Sequence, residues 1–94
     1  MNKDGFFFEG RFYAVRPDIR TYLEIEDELG SLAQLKRRLQ EGIWTLAELI
    51  TVVQIFLQSS GKQADFLQLG AEMTIRGIDA YRIMAVQLIG RLGL

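Results

Sequence analysis

The spacing of hydrophobic and polar positions along this chain changes once, near residue 16. From Phe6 to Val15 the stretch "FFFEGRFYAV" reads as strand, turn, strand, with Glu9-Gly10 at the turn and five aromatics in eight positions. A two-residue turn places Phe8 opposite Arg11, Phe7 opposite Phe12 and Phe6 opposite Tyr13. Alternation then puts Phe6, Phe8, Tyr13 and Val15 on one face and Phe7, Phe12 and Ala14 on the other. Only one face can cover the protein's own helices. The second is either an aromatic pair half-covered by a terminus or a contact patch, and the ribbon's edges can accept a strand from another chain.

After Pro17 the period becomes helical. The pattern predicts a helix over 18–29 with Ile19, Tyr22, Leu23 and Leu29 inward, Ile25 beside that stripe, and Gly30 as the stop. Its far end carries Glu24, Glu26, Asp27 and Glu28, which reads either as a solvated face or as a docking surface for a basic partner. A second helix over 31–40 starts at Ser31 and turns Leu32, Leu35 and Leu39 inward, with Lys36, Arg37 and Arg38 outward to neutralise the acidic end before it. Thr45 and Glu48 have capping-box spacing, so a third helix runs over 45–58. Leu46, Leu49, Ile50, Val53, Phe56 and Leu57 line it, Val52 and Ile55 widen the stripe, and a helix so apolar belongs at the centre. "SSGK" at 59–62 is a loop. A fourth helix over 64–76 turns Phe66, Leu69, Gly70 and Met73 inward. Gly77 breaks it, and a fifth over 78–92 carries Ile78, Tyr81, Met84, Ala85, Leu88 and Leu92 before a fraying end. The expected fold is α+β but mostly α: an N-terminal β-hairpin packed on four to five helices, in one domain spanning 1–94.

Composition changes this picture mainly by exclusion. Hydrophobic residues make up 49% and charged residues 24%, a globular balance rather than a disordered one. A net charge of −1 argues against a general binder of nucleic acid, because phosphate neutralisation needs a basic surface. There is no cysteine and no histidine, which removes disulfides, thiolate sites, the commonest metal ligand and the commonest general base. The opening "MNKDGFFFEG" lacks the apolar core of a secretory signal, and the longest apolar stretch, 43–57, falls short of the ~20 residues that span a bilayer. No membrane partner and a cytoplasmic location are therefore expected. Phosphate loops, dinucleotide fingerprints and nucleophile elbows are absent, and Ser31, Ser59 and Ser60 have no histidine to activate them. The expectation is a protein that is not an enzyme and uses no cofactor or metal.

The order of elements then carries a resemblance. "FEGRFYAVRPD", a helix ending "LEIEDELGSLAQL", a helix opening "EGIWTLAELITVV" and a glycine-interrupted C-terminal pair resemble the gene transfer agent family of small phage-derived proteins, themselves similar to tail assembly chaperones of long-tailed phages. The likeness covers roughly residues 5–57 in motif and the remainder in helical pattern. Pro17-Asp18 and the three consecutive phenylalanines depart from the family pattern and point to a phage or prophage relative. The resemblance implies a non-enzymatic role in the bacterial host cytoplasm, covering the helical tape-measure protein or tail tube protein before the tube polymerises, with self-association a further option. Candidate contacts are Phe7, Phe12 and Ala14 on the ribbon, followed by Glu24, Asp27 and Glu28. Serine at Phe7 and Phe12 should weaken binding and leave stability nearly intact. The alternative is a small regulatory or nucleic-acid-binding domain resembling a winged helix, resting on Lys36, Arg37 and Arg38 with Arg11 and Arg16 on the wing.

Overall fold

The computed structural model describes residues 3–94. β1 (Gly5–Phe8) and β2 (Arg11–Ala14) pair antiparallel in the expected register, with Phe7 opposite Phe12 and Gly5 opposite Ala14. Both turn residues, Glu9 (φ 54°) and Gly10 (φ 75°), have positive φ, the pattern whose twist matches a two-residue hairpin. Positive φ is unfavourable for a residue with a side chain, and Glu9 is held there from outside the ribbon. Its N–H donates to both Glu72 carboxylate oxygens at 2.8 and 3.0 Å, and its own carboxylate takes Lys62 at 2.8 Å and the Gln68 amide at 2.9 Å. Gly5 is required for a different reason: a Cβ there would sit 2.1 Å from the Tyr13 carbonyl oxygen.

Five helices follow: α1 (Ile19–Leu29), α2 (Leu32–Glu41), α3 (Leu46–Ser59), α4 (Phe66–Arg76) and α5 (Ile78–Gly90). The fold is thus a two-stranded hairpin followed by a small helical bundle, an α+β arrangement that is mostly α. Side-chain caps start the first four helices: Asp18, Ser31, Thr45 and Asp65 each accept the N–H three residues on. At Thr45 the full capping box forms, with the Glu48 carboxylate returning to the Thr45 N–H at 2.9 Å. Gly77 (φ 113°) ends α4 and begins α5.

α3 is the central element: α1, α4, α5 and β1 pack on it, and its residues from Leu49 to Leu57 include seven that are buried. The inner face of the ribbon closes the bundle from one side. Phe6 and Phe8 are buried, and the Phe6 ring stacks between Phe56 (6.2 Å) and Tyr81 (5.9 Å).

Four expected inward positions are corrected. In α1 the buried stripe is Thr21, Tyr22 and Ile25 with Leu29 beside it, while Ile19 (65% exposed) and Leu23 (56%) face solvent. At 3.6 residues per turn those two lie roughly 105° and 145° from the centre of the buried set, so Ile25 leads the stripe it was expected to flank. Leu46 is exposed at the first position of α3, ahead of the part its neighbours cover. Leu92 is also exposed: α5 ends at Gly90, its phase is lost in the closing turn, and Ile89 takes the buried position. The cation run on α2 has a different job from the one expected. The acidic end of α1 is met by backbone, the Leu32 N–H at the start of α2 donating to the Glu26 carboxylate at 3.4 Å, while Arg38 pairs with Glu48 of α3 at 2.7 Å and Lys36 donates to the Leu94 carbonyl.

Candidate partner-binding face

The outer face of the ribbon carries the arrangement most suited to binding. Phe7 and Phe12, cross-strand partners, meet edge to face with centroids 5.1 Å apart, yet remain 48% and 39% exposed. Beside them opens a shallow groove of about 290 Å³ between the ribbon and the junction of α4 and α5, walled by Phe7, Phe12, Ala80, Tyr81 and Met84. Arg76, the last residue of α4, bridges the rim. Its Nε is bound to Glu72 at 3.2 Å, and its guanidinium lies 5.1 Å from the centre of the Phe7 ring.

Three contacts fix the ribbon as a platform. The Tyr81 hydroxyl donates to the Phe7 carbonyl at 2.8 Å, and burial pushes that phenol's pKa above its ordinary 10.0. The Lys62 hydrogen bond holds the Glu9 carboxyl below its usual range, and the same bond raises the Lys62 ammonium. Arg91 pairs with Asp4 at the start of the ribbon. A groove so walled offers an apolar floor, two ring faces and one cation. It has no convergent polar groups for a small ligand, and its chemistry suits an apolar side-chain row with an acceptor at one end.

The expected contact residues fall in two places. Phe7 and Phe12 come together, and Ala14 is exposed on the same face, opposite the Gly5 backbone that lines the groove. Glu24, Asp27 and Glu28 are exposed on α1, which packs on α2 and α3 rather than on the ribbon. Glu24 borders a separate hollow of about 380 Å³ with Arg16, Asp18 and Arg20, where charges of both signs alternate. Arg76, Ala80 and Met84 belong to the groove and were absent from the expected set. They recur every fourth residue in the sequence, but nothing in that spacing tells that the ribbon lies beside them. Among the described residues no group of three His, Cys, Asp or Glu side chains is placed to hold a metal ion, and no helix is long and apolar enough to cross a membrane. No family model, curated protein or solved structure matches this chain.

Proposed function

We propose that this chain is a non-enzymatic tail assembly protein of a phage or prophage, a chaperone that covers an apolar row on the helical tape-measure protein or on tail tube subunits until the tube forms around them. The observation that carries the reading is the Phe7–Phe12 pair, half-exposed on a ribbon whose other face buries Phe6 and Phe8. Two rings stacked edge to face and left half in water beside an apolar groove make a face that a partner can cover. The groove fits a helix presenting side chains at i, i+4 spacing, and Arg76 supplies a handle for an acidic residue beside that row. The floor is shallow and the pair small, which suits the modest affinity that a transient cover requires.

Co-expression with the tape-measure and tail tube proteins of the same genome, followed by affinity capture, tests the proposal. A complex with either that weakens tenfold or more on Phe12→Ser supports it. Failure of the folded wild-type chain to retain either would overturn it. The regulatory alternative keeps three of its five cations outward: Arg38 is committed to Glu48 and Lys36 to the Leu94 carbonyl, which leaves Arg37 with exposed Arg11 and Arg16.

A further inference from the structure

The outer side of α4 presents a second apolar surface that the groove does not use. Among the described residues Leu67 (78% exposed) and Ile75 (84%) are the two most exposed large hydrophobic side chains, and with exposed Ala71 between them they form one i, i+4, i+8 ridge. The core side of the same helix is complete without them, since Leu69, Gly70 and Met73 are buried against α3 and its other neighbours. The ridge lies roughly 110° to 170° around the helix from that buried side, out of reach of the chain's own core.

We propose that this ridge is a self-complementary dimer contact, in which α4 of one copy crosses α4 of a second copy at Ala71. The pattern is large, small, large. A two-fold axis through Ala71 brings Leu67 against Ile75 of the other chain twice, and the small central residue lets the backbones approach where the helices cross. Ridges of i±4 spacing interdigitate in the commonest helix-packing class.

Charge selects a second copy as the occupant. The side chains flanking the ridge, Gln68 and Thr74, are uncharged and already bonded, Gln68 to Glu9 at 2.9 Å and Thr74 to the Gly70 carbonyl at 2.9 Å. Glu72 and Arg76 neutralise each other on a neighbouring side of the helix. The face therefore meets its own image without repulsion and offers nothing to a charged partner. The exposed apolar pair on α1, Ile19 and Leu23, shares its helix with Glu24, Glu26, Asp27 and Glu28, so two copies of that face repel one another. A contact one 11-residue helix long sits at or below ~1,200 Å², the small end of specific interfaces, so association in the tens-of-micromolar range is expected.

The chain contains no cysteine, which makes the two-fold directly testable. Sedimentation velocity from about 5 to 500 µM should show the 10.8 kDa chain moving towards twice that mass. Leu67→Gln with Ile75→Gln should abolish the shift with an unchanged circular dichroism spectrum, while Phe12→Ser and Leu23→Gln leave it in place. Ala71→Cys should form a disulfide-linked dimer under mild oxidation at least tenfold faster than Ala33→Cys, which is exposed on α2. A wild-type chain that stays monomeric at 500 µM overturns the proposal. So does a dimer that survives the Leu67 and Ile75 changes, dissolves with Phe12→Ser, or cross-links equally at both cysteines.

Discussion

Replacing Phe12 with serine separates a binding residue from a core residue by magnitude. Complete burial of a phenylalanine contributes about 1.5–3 kcal/mol. At 39% exposure Phe12 keeps rather more than half of that, about 1–2 kcal/mol, and its edge-to-face contact with Phe7 adds about 0.5–1 kcal/mol. The expected loss is therefore about 2 kcal/mol, or a Tm lower by roughly 8–16 °C in a chain this size. A 94-residue domain has about 5–14 kcal/mol in hand, so the variant stays folded. The same change at both rings costs about 3–4 kcal/mol, because the pair contact is lost once, and the Arg76 contact goes with Phe7. That total exceeds the expected near-intact stability, because the chain itself covers about half of each ring, and it makes the single variant the better probe. Phe8→Ser, by contrast, empties a fully buried site and should cost at least ~4 kcal/mol. Thermal unfolding followed by circular dichroism measures both. If Phe12→Ser were as damaging as Phe8→Ser, the outer ring would be core and the reasoning for a contact face would fail.

Further outcomes follow from the same structure. Gly5→Ala should open the ribbon and cost at least ~2 kcal/mol, because the new Cβ meets backbone at 2.1 and 2.9 Å. Gly70→Ala meets only the tip of Ile50 at 2.7 Å and recovers about 1 kcal/mol of helix propensity, so its net effect should stay below ~1.5 kcal/mol; equal damage at the two glycines would contradict this. Tyr22→Phe removes the donor to the Leu88 carbonyl at 2.7 Å and should cost about 1–2 kcal/mol in denaturant titration; no change would mean that the carbonyl finds another partner. Hydrogen bonds from Arg38 to Glu48 and from Lys62 to Glu9 hold both carboxyls below their ordinary 4.5 in the folded chain. Their contribution is therefore full above pH 4.5 and is lost as pH falls through the folded values, so Tm should be flat from pH 7 to about 5 and decline below that, less steeply in Glu48→Gln. A Tm that rises on acidification would contradict the assignment.

The local signals were legible in the sequence because each is decided within a few residues. The hairpin register follows from turn length, the start of α3 from Thr45 and Glu48, and the break between α4 and α5 from Gly77. The face of α1 was misread because Ile19 and Leu23 make an attractive apolar pair, while the packing partner on α3 selects the side with Ile25 and buries Thr21 instead. Leu46 and Leu92 failed for a related reason: an apolar residue at a helix end can satisfy the period and still lie beyond what the neighbours cover. The aromatic wall of the candidate groove was readable, since Phe7 and Phe12 share a face by alternation alone. Arg76, Ala80 and Met84 come to it only through tertiary placement of the ribbon. The ridge on α4 was hidden for the opposite reason, because Leu67 and Ile75 fit no inward stripe and an isolated exposed apolar residue is ordinary.

On the proposed reading, the outer aromatic face holds a helical tail protein. Isothermal titration calorimetry of the chain against purified segments of the tape-measure protein from the same genome tests it most directly, run side by side for wild type and Phe12→Ser with both confirmed as folded. Wild type should bind saturably, and the variant at least tenfold more weakly. Equal binding by the two, or none by wild type to any segment, would contradict it.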